Sequence, residues 1–435
     1  MKKKMIALLV TLSMVLSLAA CGSKTSGTAT ETTKSGESSQ EKGDTIKIGL
    51  ITQLTGPSTQ TGTEVQYMAK LIEDVINTKM DINLPFHDAE GLPGLGNAKI
   101  EIVVGDGSTA DVAMTEAERL ITEEGVIGIV SNCGSAATKT IMVPAEKYGC
   151  IVLTEGTSVT LTEAGYKYWG RTFPGDDLFC RDSFEFIKYM NESQNAGIKT
   201  CAVVAEDSEF GTNMANVMRE YAEEYDLEIV EDITYSATAA NVTSEVLRLK
   251  QTDPDVVLMS SYSADALLFM TTYKDQEYAP KMLIGQRGGF SSSDFITNLG
   301  ADSDYVLSTG RWNADVSGEL GIELAELYQK SYSGGIELLG DILTDSWNIM
   351  LIAAIANQAG STEPDAMRAV MSEGVNIDPA QDPTGAEGYV YGENGQNERT
   401  VAIMLQMKDG KRFTVFPEEK KSMDAIYPAP AWSER

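Results

Sequence analysis

Hydrophobic positions along the chain fall into two alternating rhythms. Short, β-branched apolar runs such as "IKIGLIT" (46–52) read as buried strands. Between them apolar residues recur at helical spacing: Val65, Met68, Ala69, Ile72, Val75 and Ile76 share one helix face. Runs at 99–107, 126–130 and 150–156, with helices near 110–124 and from about 135, extend the alternation to β-α-β-α-β-α-β. That order demands right-handed crossovers and a parallel sheet covered on both faces. A second series follows "RTFP" (171–174). It has helices at 179–193, 212–225, 241–251 and 264–277, and strands at 200–207, 227–235, 255–262 and 281–286. The fold class expected is α/β, with two doubly wound parallel-sheet lobes.

The C-terminal third changes character. Helices are predicted at 319–331, 341–358 and 364–373, then alternating strands within 388–416 around the turn dipeptides Asn394-Gly395 and Asp409-Gly410. Asp345 and Asn348 interrupt the apolar stretch 342–357, which reads as core packing, not a membrane span.

The N-terminus breaks both rhythms. Lys2, Lys3 and Lys4 precede an apolar run to residue 20, the pattern of a secretory signal peptide over 1–20. Its end, "LAACG", resembles the lipobox of bacterial lipoproteins, which makes Cys21 the lipidated first residue of the mature chain. Residues 22–44 are nearly all Gly, Ser, Thr, Glu and Lys, so 21–44 is expected to be a lipidated cysteine and flexible tether. The formal charge is −30, from 34 Lys+Arg against 64 Asp+Glu. An acidic surface of this size repels nucleic acid and anionic headgroups, so membrane contact is expected through the lipid alone.

Candidate chemistry is sparse. The remaining cysteines, Cys133, Cys150, Cys180 and Cys201, form no CxxC pair; buried free thiols are expected, and spacing alone assigns no pairing. His87 is the single histidine, in a Gly/Pro-rich stretch, and no GxSxG or GxxxxGK[ST] motif is present. No enzyme, metal or cofactor is indicated. In open α/β sheets ligands bind beyond the carboxyl ends of strands. Those places are 53–62, 131–135, 154–158, 205–211, 260–265 and 286–290. In "GIVSNCGSAATKT" an apolar run breaks at Gly134 just before a helix, and Ser135 stands where an N-cap is expected.

The chain resembles the Leu/Ile/Val-binding protein family, type I periplasmic-binding folds that deliver ligands to ABC importers. The resemblance covers about 45–417 and rests on "IKIGLITQLTGP", "IVSNCGSAATKTIMVPAEKYGCIVLTEGTSVTLTEAGYKYWGRTFP", "VAEDSEFG" and "GYVYGENGQN". It implies two lobes joined by a three-crossover hinge: 45–173 plus 312–385, and 174–311 plus 386–417, with 418–435 as a C-terminal tail. It also implies a small-molecule ligand between the lobes and permease subunits as partners, with a monomer expected; the lipobox and tether lead to the expectation of lipid anchoring on the extracytoplasmic face of the cell membrane.

By the same resemblance Gly134 and Ser135, with Gly156 and either Thr157 or Ser158, would hold a ligand carboxylate. Phe210 and Tyr262 would line the second lobe. The family's acidic partner for an ammonium is replaced in "LIGQRGGF" by Arg287. Either Glu155 or Asp207 then takes the ammonium, or the ligand is not a simple zwitterion; an Arg287 facing the cleft favours a second carboxylate or an amide oxygen.

Overall fold

The computed structural model describes residues 45–435 except 57 and 317; the leader, Cys21 and the tether lie outside the described residues. One sheet comprises β1 (Ile46–Thr52), β2 (Ile100–Asp106), β3 (Gly128–Asn132), β4 (Ile151–Thr154) and β5 (Trp169–Arg171). Its order is β2-β1-β3-β4-β5, parallel throughout. The crossovers are α1 (Thr59–Asn77), α2 (Ala110–Arg119) and α3 (Gly134–Tyr148). The apolar face read from Val65 to Ile76 is buried along its whole length. That burial is what fixes α1, since its first turn carries no acidic residue and its N-cap makes no side-chain hydrogen bond.

The second unit begins with α4 (Asp176–Gln194), β6 (Thr200–Glu206) and α5 (Glu209–Glu224). It continues through β7 (Glu228–Tyr235), α6 (Thr243–Thr252), β8 (Val256–Ser260), α7 (Ser263–Asp275), β9 (Leu283–Gly285), α8 (Ser293–Leu299) and β10 (Leu307–Gly310). The chain then returns to the first unit as α9 (Gly318–Ser331), α10 (Gly340–Ala359) and α11 (Pro364–Glu373). It ends in the second sheet with β11 (Ile403–Lys408) and β12 (Lys411–Phe416), turned at Asp409-Gly410. The second sheet is ordered β12-β11-β10-β9-β8-β6-β7, antiparallel only at β10-β11 and β11-β12. The short elements β5, β10 and α8 lack a β-branched apolar run or a full helical period and are not read from the sequence.

Helix α10 is apolar on all sides because it is wedged between α1 and the β3–β4 face of the first sheet. Residues 342–356 are all buried, including Asp345 and Asn348. No described helix is long and apolar enough to cross a membrane.

The chain passes between the units three times. Arg171 Nε donates to Gln396 Oε1 at 2.6 Å and Asn397 Nδ2 to the Thr172 carbonyl at 2.9 Å, tying the first passage to the third. The third lies later than the expected 386: Tyr389 and Tyr391 still belong to the first unit's core, and β11 begins only at Ile403. The Tyr391 N–H donates to the Met371 carbonyl of α11, which holds this stretch on the first unit. Residues 418–435 are anchored on the second unit, where Ala425 is buried and Trp432 Nε1 donates to the Tyr278 carbonyl at 2.8 Å.

Candidate functional site

Parallel strands end where their helices begin, so free N–H groups and loop side chains gather at one edge of each sheet. The two edges face each other across a cavity whose volume, measured for the centres of water-sized spheres, is about 90 Å³. One water needs about 10–15 Å³ on that measure, so a ligand of several heavy atoms is accommodated. All six places marked out by the strand pattern contribute to its lining. Two further walls do not follow from that pattern: Glu64 on α1, and Leu339, Asp341, Ile342 and Asp345 at the start of α10.

Of the predicted residues, Gly134, Ser135, Glu155, Gly156, Thr157, Phe210, Tyr262 and Arg287 line the cavity. Ser158 does not. It is wholly buried one residue too deep, its N–H donating to Ser135 Oγ at 3.1 Å and its hydroxyl 2.9 Å from that of Thr160. Asp207 is exposed and accepts from the Ala237 N–H at 3.0 Å, so it takes no part. Nor is Ser135 the N-cap. The helix α3 begins one residue earlier, at Gly134 with its φ of +79°, and Cys133 is the cap. The Ser135 hydroxyl instead stitches α3 to the loop after β4.

On the second unit the backbone approaches itself so closely that only glycine fits. A Cβ on Gly289 would lie 2.2 Å from the Tyr262 carbonyl oxygen. This packing holds the loop after β9 against the start of α7 and carries Arg287, itself at φ +56°, to the cavity.

Arg287 does face the cleft, but not as a free cation. Its guanidinium lies 2.8 Å from Glu155 Oε2, 3.1 Å from Asp341 Oδ1 and 3.4 Å from Asp345 Oδ2. Burial disfavours the charge, yet these three carboxylates more than offset it and hold the group above the ordinary arginine range. Asp345 is also paired with Arg311 and accepts from Asn132 Nδ2 at 2.9 Å. Burial pushes its carboxyl up to about 7 against the pull of Arg311 and Arg287. Glu64, raised by burial, accepts from Gln60 Nε2 at 2.7 Å and from the Ser293 hydroxyl of the opposite unit. Glu155 accepts the Gly134 N–H at 2.8 Å, so the chain's own carboxylate sits at the start of α3. The expectation that Arg287 offers itself to a second ligand carboxylate is therefore corrected.

Phe210 and Tyr262 form the facing wall, ring centroids 5.8 Å apart. Trp169, Trp312, Trp347 and Trp432 are not among the residues lining the cavity. His87 is engaged elsewhere, Nδ1 lying 2.7 Å from the Leu84 carbonyl. All four described cysteines are free and buried, as expected; Cys133 touches the cavity, and burial raises its thiol to about 12, leaving it unreactive. Among the described residues no group of three His, Cys, Asp or Glu could hold a metal ion.

Residues 45–411 match the family model described as "Periplasmic binding protein". A Leu/Ile/Val-binding protein homolog 7 from Brucella melitensis is 28% identical over 386 residues, covering 86% of this chain and 92% of that protein. Two solved structures share the fold. The branched-chain amino acid transporter substrate binding protein LivJ from Streptococcus pneumoniae, in complex with isoleucine, superposes with a TM-score of 0.72 at 21% identity, over 86% of this chain and 100% of that one. A solute binding protein of an ABC transporter from Rhodopseudomonas palustris, in complex with 3,4-dihydroxy benzoic acid, gives 0.71 at 18%, over 88% and 99%.

Proposed function

The chain belongs to the periplasmic binding protein family, a family of ligand binders and not of enzymes that includes the Leu/Ile/Val-binding proteins, and from that premise we propose that it is the substrate-binding component of an ABC importer. In this reading it is a monomer, tethered through a diacylglyceryl Cys21 to the extracytoplasmic face of the cell membrane. It closes its lobes, 45–173 with 312 to about 397 and 174–311 with about 398–435, on a small polar ligand and presents the closed pair to permease subunits. The observation that carries the reading is the cavity itself, lined from both units at the carboxyl ends of their parallel strands.

The residues proposed to hold the ligand are Gly134, Ser135, Glu155, Gly156 and Thr157 on one side, and Phe210, Tyr262 and Arg287 on the other. Glu64 and Asp341 join them. Similar proteins were solved with ligands as different as isoleucine and 3,4-dihydroxy benzoic acid, so the fold does not choose the ligand; the lining does.

The test is ligand-dependent stabilisation of the purified protein after bound ligand has been stripped by unfolding and refolding. A ligand at about 100 times its dissociation constant adds about 2.7 kcal/mol, a rise of a few degrees at most in a chain of this size. No stabilisation by any amino acid, amine, amide, sugar or carboxylate would defeat the reading. Cys21→Ser should release the protein from membranes, and continued attachment would remove the anchor assignment.

A further inference from the structure

We infer that the ligand of this cavity carries a net positive charge: a small organic cation with an ammonium or guanidinium group and an uncharged oxygen acceptor, and not a balanced amino-acid zwitterion. This rests on the binding-protein reading above.

Charge balance is the first support. Four carboxylates line the cavity, those of Glu64, Glu155, Asp341 and Asp345, and among the described residues Arg287 is the one cationic side chain lining it. Two more guanidiniums stand behind this wall. Arg311 pairs with Asp345; Arg412 donates to the Ser292 carbonyl at 2.7 Å and feels Glu64, Asp341 and a further acid, Glu337. The four lining acids against three guanidiniums leave a formal surplus of one negative charge, Glu337 being exposed to solvent. Behind the opposite wall Glu206 and Asp265 are buried and both act on Tyr262; burial raises both carboxyls, so they add to the surplus only where the pH is high enough to ionise them. A buried surplus of one sign is costly unless something of the other sign joins it.

The second support is where an anion could go. The guanidinium that a ligand carboxylate would need is already ringed by Glu155, Asp341 and Asp345. The Gly134 N–H at the start of α3 is held by Glu155. A carboxylate entering here must displace Glu155 into a wall that is already acidic, whereas a cation needs no displacement. The paired rings of Phe210 and Tyr262 offer a cation their faces.

The third support is one leftover donor. Arg287 is 7% exposed, and its Nε lies 3.1 Å from Asp341 Oδ1 but out of line for a hydrogen bond. A neutral carbonyl or hydroxyl oxygen beside Asp341 would share this N–H without bringing a competing charge.

The experiment measures thermal shift and calorimetric affinity of the stripped, full-length protein against four classes of probe at slightly alkaline pH, above the point where Asp345 gives up its proton. These are amines and guanidines without carboxylate (L-leucinamide, L-argininamide, agmatine), amino acids (L-leucine, L-arginine), neutral amides and sugars, and dicarboxylates (glutarate). The expected result is binding by the first class, with each amide at least about 10-fold tighter than its parent acid. Equal or tighter binding of the parent acids, or binding of glutarate or of neutral compounds alone, overturns the inference and leaves the binding-protein reading standing. Binding of nothing in any class overturns that reading as well. Glu64→Gln and Asp341→Asn, both isosteric, should each weaken the tightest cation about 10- to 100-fold. Unchanged affinity in both variants would place the charge recognition elsewhere and defeat the proposal.

Discussion

The two walls of the cavity are built on opposite principles. The first unit contributes carboxylates (Glu64, Glu155, Asp341, Asp345), drawn from α1, the loop after β4 and α10. The second contributes two aromatic rings and one guanidinium: Phe210 from the first turn of α5, Tyr262 from the loop after β8 and Arg287 from the loop after β9. Arg287 carries the second unit's positive charge across the gap, and it meets three acids there. The residue that shapes the pocket thus also joins the two units by ion pairs across it. The acidic wall supplies polarity and the aromatic wall supplies shape.

Breaking the acidic wall should have the largest effect. Above about pH 7, where Asp345 is ionised, Asp345→Asn leaves Arg287 and Arg311 buried side by side without the charge between them, and stability should fall by about 3–5 kcal/mol in urea unfolding, as when one partner of a buried pair is removed. A loss under about 1 kcal/mol would mean that packing, and not charge, holds this wall.

The next effect comes from pH. Burial raises Asp345 to about 7, and Asp176 and Asp265 to about 6. The folded chain therefore keeps protons that the unfolded chain releases near pH ~4. Their stabilisation is fully present below that point and is lost as pH rises through about 6 to 7. Self-repulsion at −30 acts in the same direction. The melting temperature should be several degrees higher at the acidic end of that window than at its alkaline end; the opposite slope would show these carboxyls ionised throughout.

On the aromatic wall, Phe210→Ala removes a ring that belongs both to the lining and to the core of the second unit. Folding stability should drop by about 3 kcal/mol and ligand affinity by up to about 30-fold. Loss of stability without loss of affinity would make the ring a core residue only. The smallest effect is at Ser135→Ala, which strips the acceptor from the Ser158 N–H and should cost about 1 kcal/mol in denaturant unfolding. An unchanged midpoint would show that backbone geometry alone holds α3 to the loop after β4.

The strand pattern located much of this site because a parallel strand can only end at the ligand edge of its sheet. Eight of the nine ligand-binding positions named from sequence touch the cavity, and Ser158 fails by a single residue of register. What stayed hidden came from α1 and α10. Glu64 follows a helix start with no motif around it. Asp345 is visible as a charge inside an apolar helix, but its partner Arg287 is 58 positions away and Asn132 is 213 away. Nothing local in "GDILTDSW" says that its carboxylates meet a guanidinium from the other sheet.

The alternation of buried strands with one-sided helices is local chemistry, and it determined the α/β class, the two parallel sheets and the edge where they would bind. The N-terminal pattern likewise stands in the sequence alone. Which charges face each other, whether Arg287 is free or ringed, and hence which sign of ligand the cavity prefers were decided by tertiary structure. Electrostatic energy depends on distance and burial, and both arise only when segments far apart in the chain are brought within a few ångströms and shut away from water.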